Sequence, residues 1–155
     1  MTELHLKINN TVHRVYSSGE TPLLYVLRNE LNLVSPRYGC AQEQCGACKV
    51  IVDGQLEYTC TYTLDQAQGK SVTTLEGLQS GATLHQIQTA FIEENAAQCG
   101  YCSTGVINAA KLLLEQNPDP TRDDIQQALK DHLCRCGAHN RMIKAVQGAA
   151  RRVRL

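Results

Sequence analysis

The eight cysteines of this chain fall into two sets of four. In "CAQEQCGACKVIVDGQLEYTC", residues 40–60, Cys40, Cys45, Cys48 and Cys60 are spaced Cys-x4-Cys-x2-Cys-x11-Cys. A loop with the first two gaps can wrap three thiolates around two irons while a hairpin returns the fourth from a neighbouring strand. That is what a 2Fe-2S cluster of the plant-type spacing requires. Gly39 and Gly46 leave room for the backbone to approach the sulfides and aim amide donors at them. Structural zinc prefers paired two-residue knuckles and suits this run less well.

The second set is Cys99, Cys102, Cys134 and Cys136, spaced Cys-x2-Cys-x31-Cys-x-Cys. The gap between Cys134 and Cys136 is too tight for a zinc knuckle, and a disulfide joining them would close a small, strained ring. Each pair lies at an expected helix start, where unpaired amides and the helix dipole favour thiolate over thiol. Two such ends facing each other can hold four thiolates around a second cluster, although on spacing alone zinc remains a fair competitor. Neither half offers the histidine pair that would replace two cysteines, so His132 and His139 read as surface or packing residues.

The elements that must position these thiols can be read from periodicity. "LHLKI" and "VHRVY" alternate around Asn9 and Asn10 and predict a hairpin. Thr21 and Pro22 read as the cap and first position of a helix that turns Leu23, Leu24, Leu27 and Leu31 onto the sheet. Asp53-Gly54 predicts a second hairpin, and "SVTTL" a last strand. After Gly77 the spacing becomes helical. Leu84, Ile87 and Phe91 mark one helix; Val106, Ile107, Ala110, Leu113 and Leu114 mark the next. Beyond "NPDPT", a capping box of Thr121 and Asp124 opens a third, with Ile125, Ala128, Leu129 and Leu133 buried, and a fourth begins near Asn140. The expected class is α+β, with a sheet-and-helix domain over residues 1–77 and a four-helix domain over residues 82–155.

Composition narrows the partners. Hydrophobic residues make up 43% of the chain, enough for a core, and 15 basic residues balance 15 acidic ones. No net field draws it to nucleic acid or an anionic membrane. Without a secretory signal or an apolar run of spanning length, it reads as cytoplasmic, with no membrane insertion of its own. Export beside a partner carrying a signal is compatible with the same residues. In the cytoplasm eight cysteines argue for metal before disulfides. No phosphate-binding glycine motif occurs, and Asp123 and Asp124 read as helix-start charges. "RRVRL" reads as a basic helix tail.

"YGC" leading into "CGAC", the hairpin to Cys60, "TLEGL", "QCGYC" and "HLCRCG" occur in that order. Over nearly the whole chain they resemble the small iron-sulfur subunit of the molybdenum hydroxylases, the xanthine oxidase and aldehyde oxidase group. The resemblance implies a β-grasp, plant-type ferredoxin-like domain followed by a helical 2Fe-2S-binding domain. It implies two 2Fe-2S clusters, with Cys134 and Cys136 completing the second beside Cys99 and Cys102. A large partner subunit would hold molybdopterin, as the cytosine dinucleotide, hydroxylate a carbon with oxygen from water and send electrons out through this chain. The acceptor would be a FAD subunit or a cytochrome c. Gln98, Cys99 and Cys136 would lie against the pterin, and no residue here would be catalytic.

Three departures limit that carry-over. Glu43 stands where the family commonly has glycine, and Thr104 where it usually has proline. The ending "GAHNRMIKAV" is closer to subunits whose partner oxidises nitrogen heterocycles or aldehydes. A free-standing ferredoxin and a zinc-stabilised interaction module are the competing readings. A soluble carrier wants a charged docking patch and has no need of a helical half, which favours the subunit.

Overall fold

The computed structural model describes residues 1–153, so Arg154 and Leu155 of the basic tail lie outside the described residues. Strands β1 (Thr2–Ile8) and β2 (Thr11–Ser17) pair antiparallel, Ile8 opposite Thr11. Asn9 and Asn10, at φ 50° and 65°, supply the left-handed turn that the strand twist favours. Strands β3 (Lys49–Val52) and β4 (Gln55–Tyr58) form the second hairpin through Asp53 and Gly54. Strand β5 (Ser71–Thr73) joins the two hairpins, parallel to β1 and antiparallel to β3, in the order β2-β1-β5-β3-β4. Leu4, Leu6, Ile8, Val50, Val52 and Val72 pack on Leu23, Leu27 and Leu64 as one core.

The segment after Pro22 departs from the simple helix expected. The Thr21 hydroxyl pairs with that of Ser17 and does not cap, and Pro22 is still extended at ψ 132°. A single turn, α1 (Leu23–Tyr25), runs into a π-helical turn over Val26–Glu30, closed where the Leu31 amide donates to the Val26 carbonyl at 3.1 Å. The wider turn buries Leu23, Leu24, Val26 and Leu27 and leaves Leu31 at the margin of the core. A further short helix, α2 (Leu64–Ala67), is set by a capping box between Thr63 and Gln66.

Helices α3 (Gln86–Glu93), α4 (Ser103–Gln116), α5 (Arg122–Leu129) and α6 (His139–Val153) enclose a second core that includes Ile87, Phe91, Val106, Ile107, Ile125 and Met142. Thr121 and Asp124 form the expected capping box. Two residues assigned to apolar stripes lie outside their helices. Leu84 precedes α3 and Leu133 follows α5, and they are 41% and 65% exposed. Among the described residues, no helix is long and apolar enough to cross a membrane.

All four residues of β3 are buried, because α4 covers the face of the sheet that α1 leaves open. Donors from the helical half end on backbone carbonyls of the sheet-bearing half. Thr104 Oγ1 reaches Ser35 O at 2.6 Å, Asn108 Nδ2 reaches Lys49 O at 3.0 Å and the Leu133 amide reaches Cys45 O at 3.0 Å. The two cores therefore meet along a hydrogen-bonded seam, and both cysteine loops lie at it.

Candidate iron-sulfur sites

The loop between Arg37 and Ala47 is closed at its base by the Arg37 amide on the Ala47 carbonyl at 3.0 Å. Within it Ala41 and Glu43 take left-handed φ values of 57° and 60°, which turn successive N–H groups inward as an anion-binding nest. The amides of Gln42, Gln44 and Cys45 point at Cys40 Sγ at 3.5, 3.2 and 3.3 Å, and the Cys40 amide points at Cys45 Sγ at 3.4 Å. Desolvation works against a thiolate at Cys40, but these amides outweigh it and bring the pKa down to about 7. Cys48 and Cys60 meet as a second sulfur pair, where burial pushes the Cys48 thiol up to about 12. Gly39 is required by packing: a Cβ there would stand 2.7 Å from Cys45 Sγ. Gly46 differs from expectation. Its φ is +74°, and a Cβ would meet Asp131 O and His132 Cδ2 at 2.6 Å, so the room it leaves is for the helical half.

The second set also forms two pairs. Cys136 Sγ lies 3.4 Å from Cys99 Sγ, and Cys102 meets Cys134. Cys102 stands at the start of α4, yet burial prevails over the helix end and raises its thiol to about 12, contrary to the expectation of a favoured thiolate. Cys99 is exposed and its pKa is lowered, first by the Tyr101 amide and then by the Cys136 thiol. Cys134 and Cys136 precede the start of α6 and are not on it. Gln98 is exposed, and its Nε2 donates to the Cys136 carbonyl at 3.4 Å, bridging the two loops of this set. Cys40, Cys45, Cys99, Cys102, Cys134 and Tyr101 all line one cavity of about 310 Å³.

The donor sets suit a binuclear group. Each offers two sulfur pairs, one for each of two irons, with amides aimed at sulfur. A single zinc would instead draw four donors onto one point.

Two of the three departures, Glu43 and Thr104, acquire a physical reading. Glu43 occupies a left-handed position that glycine would fill without strain, and its carboxylate accepts from Thr61 Oγ1, beside Cys60. Thr104 uses the hydroxyl that a proline would lack to bind Ser35 O. Three further residues prove structural without having stood out in the sequence. Asn108 interrupts the apolar stripe of α4, a polar residue that is fully buried, and that interruption was the available signal. Thr74 and Glu76 of "TLEGL" clasp Asn9 and Ser35, with Ser35 N to Glu76 Oε1 at 2.9 Å and Thr74 N to Asn9 Oδ1 at 2.9 Å. Nothing in their spacing announced it. His132 is a packing residue, 3% exposed and wedged against Gly46.

Comparison with known proteins finds a 2Fe-2S domain over each half of the chain. The 2Fe-2S iron-sulfur cluster binding domain matches residues 6–75, and the family described as 2Fe-2S binding domain matches residues 74–147. One of the nicotinate dehydrogenase subunits of Pseudomonas putida is 47% identical over 149 residues, 96% of this chain and 95% of the relative. The chain belongs to the small iron-sulfur subunits of the molybdenum hydroxylases. As a member of that family it is an electron-transfer subunit of an oxidoreductase, built from a ferredoxin-like half and a helical half. In the crystal structure of quinoline 2-oxidoreductase from Pseudomonas putida 86, a chain 32% identical superposes with a TM-score of 0.93, covering 99% of this chain and 96% of that one. Aldehyde oxidoreductase from Desulfovibrio desulfuricans also gives 0.93 at 39% identity, but there the match is 17% of a much longer chain. The same iron-sulfur unit thus occurs both on a chain of its own and within a large enzyme chain, and a large-subunit partner follows.

Proposed function

We propose that this subunit takes electrons from molybdopterin in its large partner at a 2Fe-2S cluster held by Cys99, Cys102, Cys134 and Cys136. They pass to a second, held by Cys40, Cys45, Cys48 and Cys60, and then leave the chain. The observation that carries the reading is the arrangement of eight thiols as two sets of two sulfur pairs on one seam. Each cluster, when bound, supplies a one-electron store. The chain's own residues do the rest. Amides of Gln42, Gln44 and Cys45 stabilise negative charge on the Cys40 sulfur. Burial of Cys48 and Cys102 keeps water from the inner sulfurs. Exposure of Cys99 and Gln98 leaves the second set open to the partner's group, so entry is assigned there and exit to the Cys40 loop, whose tip at Gln42, Glu43 and Gln44 is exposed.

The same reading divides the chain into a ferredoxin-like domain over residues 1–77 and a cluster-binding helical domain over residues 82–155. It gives the pterin its cytosine dinucleotide form, an acceptor that is a FAD subunit or a cytochrome c, and a cytoplasmic site of assembly. The identity with a nicotinate dehydrogenase subunit supports a partner that oxidises a nitrogen heteroaromatic compound. Gln98 meets the pterin and orients it without ligating iron. Analysis of the purified chain should return about four irons and four acid-labile sulfides per molecule. Stoichiometric zinc without sulfide would instead support the interaction module. In the complex, Gln98→Ala should keep full iron while slowing reduction of the clusters by substrate. Loss of iron, or unchanged reduction, would remove Gln98 from the electron entry.

A further inference from the structure

Tyr101 lies in the two-residue gap between Cys99 and Cys102, and its two ends serve different cysteine sets. Its backbone N–H is directed at the Cys99 sulfur. Its hydroxyl crosses the seam and donates to the Tyr38 carbonyl, two residues before Cys40. The ring is clamped from the ferredoxin-like side, with the Arg37 guanidinium 5.9 Å from its centroid. The acceptor is itself braced, since the Tyr38 ring stacks on Tyr25 at 6.2 Å and 28°. Across the shared cavity, the Leu133 amide donates to the Cys45 carbonyl at 3.0 Å, one residue before Cys134. Each cysteine loop of the helical half is thus fastened to the segment around Cys40 and Cys45 by a hydrogen bond, and Tyr101 makes the one that a side chain supplies.

We infer that Tyr101 is a positioning residue that holds the two cysteine sets at a fixed separation, and so sets how strongly their clusters couple. The inference rests on the ligand sets proposed above. Since tunnelling falls steeply with distance, a loop free to swing away from Tyr38 would pass electrons at a rate averaged over open and closed seams. Tyr101→Phe keeps the ring, the Arg37 contact and the backbone amide and removes only the hydroxyl.

In the iron-loaded chain the substitution should raise exchange of the Leu133 amide with solvent by about two- to tenfold, the opening expected on losing one hydrogen bond. Paramagnetic resonance of the fully reduced protein should show a weakened, broadened interaction between the clusters, with iron content and optical spectrum as in wild type. An unchanged exchange rate and unchanged interaction would overturn the inference. So would loss of the second cluster, which would make Tyr101 an assembly residue. Tyr101→Leu, which also removes the ring, should enlarge both effects, and no such grading would count against the role. If the wild-type chain lacks two clusters, the ligand assignment fails, and that result is distinct from every outcome for the variants.

Discussion

Gly105 shows how closely single atoms govern this seam. A Cβ at that position would stand 2.0 Å from the carbonyl oxygen of Gly46, which is backbone and cannot swing aside. Gly105→Ala should therefore wedge α4 away from the Cys45–Cys48 loop and cost about 1–3 kcal/mol, the range for overpacking, as read by chemical denaturation of the loaded chain. Unaltered stability would mean that the halves separate more easily than their contacts indicate. Glu76 is the second such residue. Burial disfavours its charge, but the hydroxyls of Ser35 and Thr74 and the Ser35 amide outweigh burial and hold its carboxyl below the ordinary value of 4.5. A carboxylate depressed on folding contributes stability that is complete above the unfolded value and disappears as pH falls through the folded one. Wild-type stability should accordingly drop between about pH 4.5 and the lower folded pKa. Glu76→Gln should be less stable near neutrality and lose less across that interval. Parallel pH profiles would exclude the clasp.

α5 leads into the segment bearing Cys134, and its start depends on Thr121, whose Oγ1 accepts from the Asp124 amide at 3.2 Å. Thr121→Ala should cost about 1 kcal/mol in thermal or denaturant unfolding, and an effect near zero would show that tertiary packing alone fixes the helix. That capping box was legible in the sequence, as were both hairpins, because Asn9-Asn10 and Asp53-Gly54 need left-handed backbone that few other pairs supply. The division of the cysteines was legible too, in that Cys40 lies beside Cys45 and Cys99 beside Cys136. The π-helical turn at Val26–Glu30 was not, because leucines at helical spacing cannot report one extra residue in a turn. Leu133 was misplaced for a related reason: its spacing continues α5, but the helix stops at Leu129, which leaves the Leu133 side chain exposed and its backbone amide free to reach Cys45 O. Contacts between residues far apart in sequence, such as Asn108 with Lys49, leave no periodic trace at all.

At the scale of the whole molecule, exposed aromatic and aliphatic residues cluster beside the cysteine loops. Tyr25 stacks on Tyr38, Tyr38 accepts from Tyr101, and Tyr101 shares a cavity with Leu133. All four are more than 40% exposed, at 43%, 48%, 48% and 65%. A contiguous patch of this kind marks an interaction site, and its place suits the large partner. The chain should therefore melt at a clearly higher temperature in the complex than by itself, because the partner binds only the folded form. Equal melting temperatures, with the isolated chain monodisperse, would favour a free ferredoxin. The question beneath all of this is whether the two cysteine sets hold two separate 2Fe-2S clusters. Paramagnetic resonance of the dithionite-reduced complex answers it. Two distinct signals should appear, Cys60→Ser eliminating or altering one and Cys134→Ser the other. One signal accounting for all the iron and unaffected by Cys134→Ser would contradict the two-cluster assignment.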